Sequence, residues 1–159
     1  MIVSTHNDFL EQKDFDFLKK EFLSNTFPYY YNDFKVNEND GGNQFTHIFY
    51  REGEINSDYF DLLSPILNKL KVQSIERIKL NMTIKENKIE QFDFHTDTNI
   101  KCNTAIFYFN TNNGKTIFES GEEVSSVENK MIIFPSSVKH TGTTHTDTKY
   151  RLVLNLNYN

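Results

Sequence analysis

His95 and Asp97 are separated by one residue in the stretch "FDFHTD", at the end of a run that alternates apolar and polar residues. In a β-strand, residues i and i+2 point to the same side, so the imidazole and the carboxylate can converge on one point. A histidine nitrogen and a carboxylate oxygen are both ligands for a first-row metal ion. Taken alone, the pair is more typical of a surface histidine that is hydrogen-bonded to a neighbouring carboxylate.

His140, in the segment "FPSSVKHTG", is a third ligand of suitable type. Two histidines and one carboxylate on one face of an octahedron are the ligand set of non-haem Fe(II) oxygenases, which leaves the other positions open. His145 lies five residues later in a threonine-rich loop and competes for this role. We favour His140 because it follows an apolar strand and a turn, and we expect His145 near the rim. We expect His47 to be half-buried in a strand and His6 to be solvated.

The C-terminal run "YRLVLNLNY" has two faces of different character. One face is apolar and is expected to belong to the core: Leu152, Leu154, Leu156 and Tyr158. The other face carries Arg151, Val153, Asn155 and Asn157. A guanidinium in that position can bind a carboxylate through two parallel hydrogen bonds, which a lysine cannot copy. A solvated outer face with a surface ion pair explains this one strand about equally well.

Two helices are expected in the N-terminal part of the chain. Apolar spacing predicts an amphipathic helix over 9–23, capped by Asn7 or Asp8. Ser57 is expected to open a second helix, "DYFDLLSPILNKLK", in which Pro65 bends the helix or divides its first turn from the rest.

Short strands dominate the remainder of the chain. "FTHIFY" alternates as one strand, and about eight more follow from Ser74, which is typical of a sandwich, barrel or jelly roll. We expect a single domain with a support region (1–73) and a β core (74–159). The eight strands of the core are expected over 74–84, 88–96, 103–110, 115–120, 122–127, 130–135, 137–142 and 148–158.

From 77 to 158 the chain resembles the Fe(II)- and 2-oxoglutarate-dependent oxygenases, nearest to their prolyl-4-hydroxylase-like branch. The resemblance rests on five pieces in the family's order, with the arginine eleven positions after the second histidine: "HTD" at 95–97, "AIFYFN" at 105–110, "NGKTIF" at 113–118, "MIIFPSSVKH" at 131–140 and "YRLVLNLNY" at 150–158. The bias towards Asn, Lys and Ile fits a phage or marine-type member.

The resemblance implies a mainly β fold with N-terminal helices, a cupin-like double-stranded β-helix or jelly roll. It implies His95, Asp97 and His140 as iron ligands, and Arg151 as the partner of the distal carboxylate of 2-oxoglutarate. Tyr108 occupies a family position whose hydroxyl often bonds that same carboxylate. Weaker expectations place three asparagines in the pocket: Asn81, Asn155 and Asn157.

The implied reaction is hydroxylation of a C–H bond with Fe(II), 2-oxoglutarate and O2, giving succinate and CO2, with ascorbate allowed as a reductant. Asp97 favours hydroxylation, because halogenating members of the family lack this carboxylate. A prolyl or other peptidyl side chain is slightly ahead of a free small molecule as substrate. Nucleic acid is placed last, because Asn157 stands where related demethylases carry a second arginine and the net charge is −5.

Three departures from the family limit what the resemblance implies. "NNGKT" has one glycine where many relatives have two, and Val153 replaces a small hydroxyl residue. The first seventy-odd residues, which often supply substrate-side walls in the family, match nothing specific. A jelly-roll module that binds a metal or ligand without oxidative turnover therefore remains the alternative.

The cysteine count and the apolar runs of the sequence indicate the cellular compartment. Cys102 is the only cysteine, so an intramolecular disulfide and a cysteine-rich zinc site are both excluded. The sequence shows no secretory signal and no apolar run near the ~20 residues of a membrane span. We expect a cytoplasmic protein without a membrane segment, and the sequence leaves the oligomeric state open.

Overall fold

The computed structural model describes residues 3–159, which form eleven strands, two α-helices and one 3₁₀-helix. The N-terminal half contains β1 (Ser4–His6), α1 (Gln12–Phe22), β2 (Tyr30–Asn32), β3 (Gln44–Arg51), β4 (Glu54–Ile55), the 3₁₀-helix (Phe60–Leu63) and α2 (Ser64–Leu70). The C-terminal half contains β5 (Ile75–Ile84), β6 (Asn103–Tyr108), β7 (Lys115–Phe118), β8 (Glu123–Ser125), β9 (Lys130–Pro135), β10 (His140–Gly142) and β11 (Tyr150–Tyr158).

The strands form two antiparallel sheets. The large sheet has the order β1-β9-β6-β11-β5-β3-β2, with β4 added beside β3, and the small sheet has the order β10-β7-β8. Side chains of both sheets share one apolar cluster, in which Ile106 and Val153 of the large sheet join Phe118 and Val124 of the small one. Two facing antiparallel sheets with non-consecutive neighbours form a jelly roll. The predicted fold class is confirmed.

The helices cover the outer face of the large sheet. Phe15, Leu18 and Phe22 of α1 belong to the same buried cluster as Leu152 and Leu154 of β11. One face of β11 therefore buries its leucines under the helices, and the other turns its polar side chains towards the small sheet. The alternation in the sequence predicted these two faces.

The predicted start of the first helix is wrong. α1 begins after Glu11, and Asp8 has φ +48°, a left-handed conformation that does not fit a helix cap at this position. The amides of Phe9 and Leu10 instead bond to Asn129, which ties this turn to the β core. In the second helical segment, Pro65 lies in the first turn of α2, where its missing N–H has no helical partner to lose.

The strand predicted over 88–96 does not form. Only Gln91 and His95 make isolated bridges there, with Thr143 and His140 respectively. The Thr144 hydroxyl takes over part of the pairing, because it accepts from the amide of Glu90 and donates to the carbonyl of Lys88. Side-chain bonds of this kind compete with a regular ladder. In the predicted 137–142 strand, only His140–Gly142 is regular.

Three short strands were not predicted: β1, β2 and β4. The first two are the edges of the large sheet, and all three are short and mostly exposed. A strand without a buried face leaves no hydrophobic alternation in the sequence. No helix within residues 3–159 is long and apolar enough to cross a membrane.

Two phenylalanines of α1 give a matched test of the packing between helix and sheet. Phe22 is fully buried and contacts the rings of Phe49 and Phe109 with centroids 5.6 and 5.3 Å away, whereas Phe17 is 50% exposed. We expect Phe22→Ala to lower the free energy of unfolding by about 3–5 kcal/mol, because it leaves a cavity. Phe17→Ala is expected to change it by less than about 1 kcal/mol. Urea unfolding measures both, and equal losses would contradict this packing.

Candidate metal centre

The backbone brings His95 and His140 together, although 44 residues separate them in the chain. Each donates its amide to the other's carbonyl at 3.0 Å, which makes an isolated antiparallel bridge. Directly opposed residues of such a pair project their side chains to the same side. The two imidazole rings accordingly lie 5.0 Å apart between centroids.

Asp97 completes a cluster of three ligand-type side chains. Its two carboxylate oxygens lie 3.7 Å from the Nε2 atoms of His95 and His140, which is too long for a hydrogen bond. One ligand atom from each residue lies within 4.8 Å of the others. A shared metal ion between these atoms would satisfy all three.

The tautomers of the two histidines fit that use. Nδ1 of His95 lies 3.2 Å from the carbonyl oxygen of Asp93, and Nδ1 of His140 lies 3.3 Å from that of Val138. A carbonyl accepts only, so each Nδ1 carries the proton and each Nε2 keeps a free lone pair. Metal-binding histidines are commonly oriented in this way. Burial also lowers the pKa of His140, which favours its neutral, ligating form.

Asp97 is held in its ionised form. Burial acts to raise its pKa, but the guanidinium of Arg77, with contributions from both histidines and Asn155, brings the pKa down to about 2. Arg77 Nη2 lies 3.1 Å from Oδ1, and Asn155 donates to Oδ2 at 3.0 Å. The carboxylate is therefore charged and fixed in orientation, as a metal ligand must be.

Arg151 is a buried cation without an anion. Only 8% of the residue is exposed, its Nε donates to Ser126 Oγ at 3.0 Å, and it makes no ion pair with any of residues 3–159. Burial lowers its pKa, with a smaller opposing effect from Tyr108. A desolvated guanidinium without a counter-charge costs folding free energy, so the site suits a bound anion.

Tyr108 and Asn81, both predicted in the pocket, lie at different distances from it: Asn81 lines the cavity, whereas Tyr108 does not. Tyr108 is fully buried and donates to Thr116 Oγ1 at 2.7 Å, and Thr116 rather than Tyr108 lines the cavity. Burial raises the pKa of Tyr108 to about 12, against smaller opposing effects of Arg151 and Thr116, so it remains a hydrogen-bond donor. Asn81 lines the cavity and its Oδ1 has no partner within the described part of the chain.

Of the two asparagines predicted on β11, only Asn155 lines the cavity, where it holds Asp97. Asn157 was expected there as well but does not line it. It is fully buried and donates to Thr104 Oγ1 at 2.9 Å. The one-residue shift of register between Asn157 and Tyr158 marks the end of the regular pairing with β5.

His145 is not the rim residue that the sequence predicted. It is fully buried in the loop before β11, and its side chain is not part of the three-ligand cluster. His47 is also more buried than predicted, because its ring nitrogens lie 2.8 and 2.6 Å from Pro28 O and Ser57 Oγ. His6 is exposed, as expected.

The cluster and Arg151 open onto one cavity between the two sheets, with a volume of about 130 Å³. β5 contributes three cavity residues that were not predicted from the sequence: Arg77, Lys79 and Thr83. Alternation in the sequence could have identified these residues. They alternate with Ile78, Leu80 and Met82, and so share a face of the strand with Asn81. Lys35 reaches the cavity from the N-terminal region, which has no such pattern.

Comparison of the fold with solved structures gives strong matches. A 2OG-Fe(II) oxygenase family oxidoreductase from Burkholderia pseudomallei aligns over 99% of this chain and 84% of its own, with a TM-score of 0.74 at 11% identity. The fold is that of the 2-oxoglutarate- and Fe(II)-dependent oxygenases. No family model and no curated protein matches the sequence.

Two prolyl hydroxylases are also structural neighbours of this oxygenase fold. One is the Trichoplax adhaerens enzyme in complex with a hypoxia inducible factor peptide fragment, with a TM-score of 0.71 at 10% identity over 99% of this chain and 83% of its own. The other is the viral collagen prolyl hydroxylase of Paramecium Bursaria Chlorella virus-1. Its TM-score is 0.65 at 11% identity, over 99% of this chain and 94% of its own. At identities this low, the structural similarity shows the fold alone. The function has to be inferred from the chemistry of the site.

Gly114 provides the space that Arg151 occupies. A Cβ at Gly114 would lie 2.9 Å from Arg151 Cδ and 2.8 Å from Asn112 Oδ1, whereas a Cβ at Gly142 would lie 3.6 Å from Arg151 Nη1. We expect Gly114→Ala to lower the free energy of unfolding by about 1–3 kcal/mol through overpacking. Gly142→Ala is the control, with an expected change within about 0.5 kcal/mol. Chemical denaturation distinguishes them, and two equal values would show that Arg151 is not confined by Gly114.

Proposed function

We propose that the protein is an Fe(II)- and 2-oxoglutarate-dependent dioxygenase that hydroxylates a C–H bond. The observation that carries the proposal is a three-ligand cluster and an unpaired buried guanidinium in one cavity of an oxygenase fold. The cluster suits a divalent metal, and the guanidinium suits a carboxylate. A metal-free binding module would have no use for the three-ligand cluster.

The assigned ligands are His95, Asp97 and His140. Fe(II) bound there supplies the activation of O2 and of the cosubstrate's keto acid, with succinate and CO2 as co-products. The chain's own part is to keep both Nε2 lone pairs free and to hold Asp97 ionised through Arg77 and Asn155.

Arg151 is assigned to the distal carboxylate of 2-oxoglutarate. Its Nε is already bonded to Ser126, which leaves the terminal nitrogens for the cosubstrate. Thr83 lies opposite Arg151 in the register of β5 and β11, and its hydroxyl has no partner within residues 3–159. Tyr108 acts through Thr116, whose hydroxyl it orients at the cavity wall.

A prolyl or other peptidyl side chain is the substrate that we propose at the level of class. The structural neighbours include prolyl hydroxylases, one of them bound to a peptide fragment. An anaerobic Fe(II) titration with and without 2-oxoglutarate tests the cofactor pair. A visible metal-to-ligand charge-transfer band that needs both components is expected. Its absence from a folded, metal-binding protein would favour a binding module without turnover.

Asp97→Ala removes the carboxylate ligand and is expected to abolish succinate formation. Asp93→Ala is the matched control, because Asp93 is exposed and contributes only its backbone carbonyl to His95. Succinate release in the presence of Fe(II), 2-oxoglutarate and O2 is the measurement. Turnover by Asp97→Ala at the rate of the control would refute the ligand assignment.

Arg151→Met removes the guanidinium and is expected to weaken 2-oxoglutarate binding by about tenfold or more, because a charge-assisted bidentate contact is lost. Fe(II) affinity is expected to change by less than about twofold, since Arg151 does not contact the ligand cluster. Both constants come from anaerobic titrations of metal and cosubstrate. Arg51→Met, at an exposed arginine, is the control. Parallel losses of both affinities would indicate misfolding instead.

A further inference from the structure

The cavity carries positive charge at both ends. Arg151 lies opposite Thr83 in the register of β5 and β11, whereas Lys79 lies opposite Asn155. Lys79 is four residues before Thr83 on β5, so it lies about 13 Å along the strand from the level of Arg151. Asn155 holds Asp97, so Lys79 lies at the level of the metal ligands, at the end of the cavity away from Arg151.

Arg77 joins Lys79 at this end. Its Nη2 contacts Asp97 Oδ1 at 3.1 Å, but its buried Nε has no partner within the described part of the chain. Lys79 lines the cavity and forms no side-chain hydrogen bond or ion pair with residues 3–159. Among the residues of 3–159 that line the cavity, Asp97 is the only carboxylate.

With Fe(II) and 2-oxoglutarate bound, the positive charges of Arg77 and Lys79 would exceed the negative charge of the site. Fe(II) and Arg151 together carry three positive charges, which the single charge of Asp97 and the two of 2-oxoglutarate balance. The charges of Lys79 and of Arg77, whose guanidinium shares the Asp97 carboxylate with the metal, then form an excess of two positive charges beside the metal ligands. Lys35, the remaining cation of the cavity wall, has its own acidic neighbours, Glu86 and Glu90.

Lys79 remains a cation at neutral pH. Burial lowers its pKa to about 8, an effect that Arg77 strengthens and Asp97 opposes. Most of the molecules therefore keep a partly desolvated ammonium group at pH 7, which disfavours the folded state unless an anion binds there. A neutral side chain of similar length would avoid that cost.

We propose, on the basis of the proposed function, that the substrate carries a carboxylate which Arg77 and Lys79 bind on the side of the metal site away from Arg151. The hydroxylated carbon then lies a few bonds from that carboxylate. The carboxylate belongs to a free organic or amino acid or to an acidic side chain in a peptide. A prolyl peptide without a nearby acidic group is a poor substrate.

Calorimetry tests this preference on the protein loaded anaerobically with Fe(II) and saturating 2-oxoglutarate, so that the Arg151 end is filled. Three pairs of probes differ in charge: L-proline and L-prolinamide, L-aspartate and L-asparaginamide, and acetyl-Gly-Asp-Gly-amide and acetyl-Gly-Asn-Gly-amide. At least one acid is expected to bind about tenfold or more tightly than its amide. Binding of a free acid identifies that source, and binding of the Asp peptide alone identifies an acidic side chain.

Lys79→Met is expected to remove most of this preference while leaving the affinity for 2-oxoglutarate within about twofold. Lys85→Met is the matched control, because Lys85 is exposed and does not line the cavity. The thermal midpoint of ligand-free Lys79→Met should not fall below that of the wild type, since a buried charge is removed. This measurement separates lost binding from lost folding.

Equal affinities for acids and amides, absence of binding by every acid, or an unchanged preference in Lys79→Met would each overturn the carboxylate site. The charge-transfer band of the same samples reports separately on the proposed function. A band without acid preference refutes the carboxylate site alone, whereas a missing band contradicts the oxygenase assignment itself.

Discussion

The paired backbone hydrogen bonds between His95 and His140 are the constraint on which the site depends. They join an irregular segment to the short strand β10, and they fix two side chains from distant parts of the chain on the same side. β10 is in turn held by β7, where His140 lies opposite Phe118. Asp97 then needs only two further residues of chain to reach both rings. A slip of one residue would turn a histidine away from the cluster, because alternate side chains point to opposite sides.

Electrostatics explains why the cavity is built for ligands rather than for stability alone. Asp97 is a buried carboxylate whose ionisation is maintained by Arg77, and it is the only acid that the described part of the chain places in the cavity wall. Arg151 is a buried cation that bonds to a hydroxyl but has no acidic partner within residues 3–159. Groups of this kind disfavour folding by themselves, since desolvation of a charge is repaid only by a counter-charge. The proposed cosubstrate and the proposed acidic substrate would bring the negative charge that these cations lack.

The two faces of β11 divide these tasks between them. Leu152, Leu154 and Leu156 pack beneath the helices in the larger apolar cluster, while Arg151 and Asn155 line the cavity on the other face. Because the larger apolar cluster lies on the helical side, the polar face can carry costly groups without loss of the fold. The α-helices thus serve the site indirectly, by anchoring the strand that carries it.

The fold class and the two faces of β11 could be predicted from the sequence alone, because a period of two survives in any strand with one buried face. The three candidate ligands could be named from residue type and spacing, although His95 and Asp97 lie outside any regular strand. The sequence also placed Asn81 and Asn155 near the site, and by the same alternation it held the signal for Arg77 and Lys79. It did not determine the irregular path through 88–96, the burial of His145, or the exclusion of Asn157 from the cavity. Those depend on which hydroxyl, amide or carbonyl from a distant segment completes each hydrogen bond. Only the tertiary structure decides such partners, because local sequence carries no record of them.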